Sequence, residues 1–435
     1  MSCGVDWYSR AQAGLSCNLV RDWPNVPVER AEGCYAYGPR GEKYLDLCGG
    51  MAASVTGHCH PKVVAAVREQ VGRLIHGPIG VLLYEPIVLL AEELARVTPE
   101  GLDSFFFLNS GSEAVEGAIK LARYVTKRAG VISFVGGFHG RTMGALSVTT
   151  SKAKYRANYH PLMGGVYHAP YPYCFRCPLG LSENSCNQKC LDYLQYLFDS
   201  TILPSEVACM IIEPVLGEGG YIPTPTRYLS RLKDICTQHG ILLIYDEVQT
   251  GFGRTGAMFA AQTYGVNPDI IAIAKGIASG MPLGAVVASN ELMSKWAVGA
   301  HSTTFGGNPV SCAAALATLK VFEEENLLEN VSRQGQRALS AFREMKSKFP
   351  VIGDVRGKGL MIGIELVKPS SGKTPDPNAV KKFLRECLDR GLILYPGGAY
   401  GQVIRFIPPL IITDAVMDKA LGIMDESFRA IDITD

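Results

Sequence analysis

Ile241-Leu-Leu-Ile-Tyr245 runs into Asp246-Glu247, and Ile270-Ile-Ala-Ile-Ala274 runs into Lys275-Gly276. Both runs are short, apolar and rich in Ile, with no polar face, which is how a strand buried on both sides of a parallel sheet reads. In open α/β sheets ligands bind at the carboxyl ends of such strands. An acid and a lysine at two of these ends therefore point to a site, although Asp246 could simply cap the following turn. A lysine so placed is partly withdrawn from water, which lowers its pKa and makes its amine a nucleophile toward an aldehyde.

Working outward, Phe105–Leu108, Val131–Phe134 and Ala208–Ile212 read as further strands. Between strands, Glu113–Ala129 carries Val115, Ala118, Ile119, Ala122 and Val125 at helical spacing, and Tyr228–His239 reads similarly. Strands alternating with helices predict an α/β fold on a mainly parallel sheet. From Cys312 the pattern changes to two long amphipathic helices, Ala313–Glu325 and Leu327–Lys348, followed by strand-like runs at Met361–Leu366, Gly391–Tyr395 and Val403–Ile407. The expected organisation is a large α/β domain over residues 59–311 and a small α+β domain over 312–435. The N-terminal segment 1–58, with a hairpin-like pair at Cys34–Tyr37 and Lys43–Leu47, joins the latter.

The 435 residues are 47% hydrophobic and 19% charged, enough for a large core and unlike a disordered chain. Lys and Arg total 42 against 41 Asp and Glu, a net charge of +1, with no basic block, so nucleic acid is not an expected partner. Residues 1–24 show no positive segment followed by an apolar run and cleavage site, and no run reaches the length of a membrane span. Thirteen cysteines, an odd number and mostly scattered, fit a reducing cytoplasmic interior.

Upstream, strand Phe105–Leu108 leads through Asn109 into Ser110-Gly111-Ser112 and a helix opening with Glu113. The exposed N–H groups and positive dipole end of such a helix make a phosphate cradle without Lys or Arg. Alone it reads rather as an ordinary N-cap, since Ser-Gly-Ser before a helix is common. Cradle, strand-end acid and strand-end lysine together are what pyridoxal phosphate requires: a phosphate site, an amine for the Schiff base, and a carboxylate to keep the pyridine nitrogen protonated.

Asp246-Glu-Val-Gln-Thr-Gly-Phe-Gly-Arg-Thr-Gly256, Pro268-Asp-Ile-Ile-Ala-Ile-Ala-Lys-Gly276 and Thr304-Phe-Gly-Gly-Asn-Pro309 together resemble the class III, or omega-type, aminotransferases of the fold type I pyridoxal phosphate enzymes. The resemblance runs from about Asn25 to the C-terminus and implies roles residue by residue. Lys275 matches the Schiff-base lysine and proton carrier, and Asp246 the partner of the pyridine nitrogen. Ser110, Gly111 and Ser112 match the phosphate loop. Phe138, in Gly137-Phe-His-Gly140, matches the aromatic on the ring face. Val248 and Gln249 match the residues behind the ring and at its 3-oxygen, and His139 and Glu213 fall in the same cofactor site. Thr304 matches a threonine reaching the phosphate of a neighbouring subunit, which implies a homodimer with shared sites, open to further pairing into a dimer of dimers.

The chain looks most like the 4-aminobutyrate aminotransferases. The resemblance implies that Arg141 meets the distal carboxylate of an ω-amino acid while Glu218 pairs with Arg405. Glu218 then releases Arg405 when 2-oxoglutarate or glutamate brings a second carboxylate. Independently of any family, Arg405 lies inside the apolar run Val403–Ile407, where an unpaired guanidinium is costly and needs a partner. Met51 stands on the substrate side, where those enzymes carry a smaller branched residue; a flexible Met there could widen the donor range or could be simple packing. Other donors remain open, namely 5-aminovalerate, ornithine, β-alanine and diamines. So does racemisation or epimerisation of an amino acid on the same fold, and, more remotely, a non-catalytic scaffold.

The longest irregular stretch, Ala169–Lys189, contains Cys174-Phe-Arg-Cys177 and leads into Cys186-Asn-Gln-Lys-Cys190. Cys174, Cys177, Cys186 and Cys190 have spacing suited to zinc or an iron–sulfur centre, with unliganded thiols or one or two oxidised pairs as the alternative.

Overall fold

Seven strands form the central sheet of the computed structural model, which describes residues 7–16, 19, 26–182 and 186–432. They are β1 (Ser104–Leu108), β2 (Gly130–Phe134), β3 (Val166–Ala169), β4 (Val207–Ile212), β5 (Leu242–Asp246), β6 (Ile270–Ile273) and β7 (Gly284–Ala288). Their order is β1-β7-β6-β5-β4-β2-β3. From β6 to β3 every neighbouring pair is parallel, while β7 is antiparallel to both β6 and β1. Every residue of β2, β4, β6 and β7 is buried, so the sheet is covered on both faces. Helix α1 (Gly111–Thr126) follows β1 and packs a face of Ala114, Val115, Ala118, Ile119, Leu121 and Ala122 into that core.

The register explains why the acid and the lysine meet. Tyr245 pairs with Ile271 and Asp246 with Ala272, so β5 and β6 end level with each other. β6 stops at Ile273, one residue earlier than its apolar run predicts. Ala274 is fully extended (φ −167°) and Lys275 turns into the left-handed region (φ 48°), which swings its side chain off the strand line.

Helices α2 (Pro309–Glu324) and α3 (Leu327–Lys348) lie where the two amphipathic periods place them. Asn308 caps α2 by accepting from the Ser311 N–H, and Pro309 occupies its first turn, so it begins before the Ala313 expected. Beyond them, Ile352–Lys358, Met361–Leu366, Val403–Phe406 and Tyr395–Gly397 form an antiparallel sheet. The strand expected over Gly391–Tyr395 is two: Leu392–Ile393 pairs parallel with Leu45–Asp46, and Tyr395–Gly397 pairs with Val403–Phe406. The first of these completes a sheet with Arg30–Glu32, Tyr35–Tyr37 and Lys43–Asp46, which contains the expected hairpin and ties the N-terminal segment to the C-terminal one. Much of the 1–24 stretch read for a leader lies outside the described residues. Among them, no helix is long and apolar enough to cross a membrane.

Candidate active site

At the carboxyl ends of β1, β5 and β6 lies a cavity of about 330 Å³. Ser110, Gly111 and Ser112 line one side, Phe138, His139 and Glu213 another, and Asp246, Val248, Gln249 and Lys275 the rest. All of the expected cofactor residues except Thr304 therefore converge. Thr304 is exposed and lines a separate hollow with Glu113, Glu116 and His301.

Hydrogen bonds fix several of these side chains. Ser110 is the N-cap of α1, its hydroxyl accepting from the Glu113 N–H at 3.2 Å. The cap leaves the first N–H groups of the helix, at Gly111 and Ser112, without intrahelical partners. A Cβ on Gly111 would stand 2.7 Å from a methyl of Val248, so only glycine lets the cradle approach the cavity floor this closely. Asp246 is buried; its Oδ1 accepts from the Val248 N–H at 3.1 Å and its Oδ2 lies 2.7 Å from His139 Nδ1. Burial alone would lower the His139 pKa, but its hydrogen bond and attraction to Asp246 outweigh that and raise it. Glu213 bridges two loops by accepting from Phe138 N–H at 2.7 Å and Gly217 N–H at 2.8 Å, and burial pushes its carboxyl up to about 7. Gln249 Oε1 accepts from the Tyr221 hydroxyl at 2.8 Å. Burial lowers the Lys275 amine below the ordinary lysine range, against the pull of Asp246 and Glu213. A larger neutral fraction is what a nucleophilic amine needs.

Arg141, Glu218 and Arg405 are not among the residues lining this cavity. Arg405 is buried in the strand Val403–Phe406, where Gly397 on the neighbouring strand leaves room for its stem: a Cβ there would lie 2.8 Å from Arg405 Cδ. Its Nη1 is 3.0 Å from Glu218 Oε2, while its Nε has no hydrogen-bond partner among the described residues. Burial pushes the Glu218 carboxyl up, but Arg405 and Lys152 outweigh it and hold it below the usual carboxylate range. Arg141 is exposed, its guanidinium 3.5 Å above the Tyr155 ring centroid. Met51 belongs to a run from Gly49 to Ala52 in which every φ is positive, and its sulfur stands 3.8 Å from Arg405 Nη2. It thus covers the guanidinium rather than lining the main cavity. Lys152 and Tyr155, which both bond Glu218, escaped the sequence reading: Ser151-Lys-Ala-Lys-Tyr155 carries no periodicity or motif that marks it.

The metal centre expected at the cysteines is not found. Cys174, Cys177, Cys186 and Cys190 all line one small cavity of about 30 Å³, together with Tyr173, Pro178, Leu181 and Tyr228. Among the described residues no three or more His, Cys, Asp or Glu side chains are arranged to hold an ion. Cys186 Sγ accepts from the Gln188 N–H at 3.3 Å, and burial pushes the Cys190 thiol up to about 12.

Comparison with known proteins agrees with the geometry. The family described as aminotransferase class III matches residues 19–428. A 5-aminovalerate aminotransferase of Pseudomonas aeruginosa is 44% identical over 96% of this chain and 97% of its own. A 4-aminobutyrate aminotransferase of Escherichia coli is 42% identical over 92% and 93%. An alanine/serine racemase of Pyrococcus horikoshii is 40% identical over 94% and 87%. Among solved structures, a thermostable (S)-enantioselective omega-transaminase from Thermomicrobium roseum superposes with a TM-score of 0.91 at 32% identity, covering 98% of this chain and 99% of that one.

Proposed function

The chain belongs to the class III aminotransferases, with their fold type I architecture, and from that premise we propose that it moves an amino group from an ω-amino acid, first of all 4-aminobutyrate, to 2-oxoglutarate on pyridoxal phosphate. The donor leaves as a semialdehyde and the acceptor as glutamate, in a ping-pong cycle. The observation that carries the substrate class is the Glu218–Arg405 pair at 3.0 Å beside Arg141, two guanidinium groups of which one is masked by a carboxylate.

The cavity residues fit the cofactor. The α1 N-terminus would offer N–H groups to its phosphate, Phe138 and Val248 would offer apolar surfaces to the ring, and Gln249 would supply it a polar partner. Asp246, itself fixed by His139 and the Val248 N–H, holds the proton at the pyridine nitrogen. When bound, pyridoxal phosphate supplies the aldehyde that takes up the amino group and the ring that accepts the electrons of the donor carbon. Lys275 Nζ would hold the cofactor and would carry the proton to and from the donor carbon. Arg141 takes the distal carboxylate, and Glu218 keeps Arg405 occupied until a second carboxylate arrives. Thr304 serves the phosphate of a partner subunit, so the working unit is a homodimer; its compartment is the cytoplasm, and its large domain spans residues 59–311.

The test is the visible spectrum of cofactor-loaded protein with 4-aminobutyrate alone, and with 5-aminovalerate, ornithine and L-alanine in parallel. Bleaching of the yellow band by 4-aminobutyrate, restored by 2-oxoglutarate, is expected. Bleaching by 5-aminovalerate alone would replace the donor, an outcome the Pseudomonas relative favours; the two acids differ by one methylene, worth about 1–3 kcal/mol of discrimination. Loss of optical rotation with no oxo acid present would favour a racemase, as the Pyrococcus relative is. Replacing Lys275 by Ala abolishes turnover, and appreciable steady-state transamination by that variant would refute the assignment.

A further inference from the structure

Glu218 has more partners than an exchange with Arg405 requires. Its Oε2 faces Arg405 at 3.0 Å, whereas its Oε1 accepts from Lys152 Nζ at 2.6 Å and from the Tyr155 hydroxyl at 2.9 Å. The Lys152 and Glu218 side chains are only 15% and 13% exposed, so water screens the pair weakly. Tyr155 in turn carries the Arg141 guanidinium on its ring, so one short segment touches both arginines' surroundings.

We propose that Lys152 is a positioning residue that retains Glu218 when Arg405 is released to a second carboxylate, and so allows one cleft to accept monocarboxylate and dicarboxylate ligands in turn. The inference rests on the proposed reading of Arg141 and Arg405 as carboxylate sites. A carboxylate that gives up its guanidinium in a nearly closed cleft pays heavily unless another cation faces it. Lys152 already does so, on the oxygen turned away from Arg405, and need not move when Arg405 leaves. Tyr155 cannot replace it, being neutral: burial and the Glu218 charge push its hydroxyl up to about 12. Without Lys152, Glu218 has Arg405 as its remaining cationic partner among the described contacts. The pair then closes more tightly against an incoming carboxylate, while the ligand that needs only Arg141 is indifferent.

The experiment is calorimetric titration of the cofactor-loaded protein with glutarate, which needs both arginines, and with butanoate, which needs one. In Lys152→Met, glutarate should bind about tenfold more weakly, the effect of one lost charged hydrogen bond, with butanoate within about twofold of wild type. Lys152→Arg should restore glutarate. In Lys152→Gln, the half-reaction with L-glutamate should slow while that with 4-aminobutyrate persists, which keeps the test open if the Met variant fails to fold. Equal loss of both acids, or no loss of glutarate, overturns the inference. Wild-type protein that binds glutarate no better than butanoate overturns the two-carboxylate reading beneath it.

Discussion

At the scale of single residues the site depends on charges held in unusual places. His139 titrates near 6.5 when exposed, and its raised folded value means the native state binds the extra proton over the interval above that. Its contribution to stability is therefore complete below about pH 6.5 and is lost as pH rises through the raised value. The melting temperature of wild type should fall across that window more than that of His139→Gln, and parallel curves would count against the Asp246–His139 pair. Met51 adopts φ 58°, a conformation costing an L-residue roughly 1–2 kcal/mol, in a turn packed against Arg405. Met51→Gly should leave the melting temperature unchanged or higher while weakening discrimination among donor lengths, read as the ratio of kcat/KM for 4-aminobutyrate and 5-aminovalerate. The sequence marked Lys275, Asp246 and Arg405 because a charged residue inside or ending an apolar run is conspicuous. Lys152 sits among polar neighbours and is not.

At the scale of elements, the irregular Ala169–Lys189 stretch acts as a strap. Arg176 and Tyr173 both bond Glu365, on the strand Met361–Leu366, and Arg356 adds a third contact at 2.7 Å. Glu365 is fully buried, so removing it leaves two guanidinium groups without their shared carboxylate. Glu365→Ala should cost about 3 kcal/mol, seen as a lower urea midpoint, because breaking a buried pair strands the remaining charge. Strands β5 and β6 were legible because they are apolar throughout. The antiparallel β7 was not, since Gly284-Ala-Val-Val-Ala288 is no more strand-like than many loops and one of its two pairing partners, β1, lies far away in sequence. Likewise no local signal divides residues 391–397 between two sheets.

For the whole molecule, the exposed Thr304 and the large apolar side chains Val81, Leu83 and Phe305, uncovered in a single chain, are what a partner subunit would use. If Thr304 completes a neighbour's site, two defective chains can repair each other. Thr304→Asp places a negative charge against the partner's phosphate, and Lys275→Ala lacks the amine. Mixed and allowed to reassort, the two inactive proteins should recover about a quarter of wild-type activity through hybrid dimers with one intact site. No recovery, with exchange of subunits confirmed by mass, would place Thr304 outside the shared site.

The sequence by itself determined the buried parallel strands, the helices after them, the phosphate cradle and the acid and lysine, because each is written in a local pattern of period, cap or interruption. Tertiary structure alone decided which distant residues share a boundary: the level ends of β5 and β6, the hold of Lys152 and Tyr155 on Glu218, and the gathering of four cysteines at one small cavity with no arrangement among the described residues fit to hold the metal their spacing suggested. Spacing along a chain limits which side chains can meet, but the meeting itself depends on register and packing, which are set by contacts tens of residues apart.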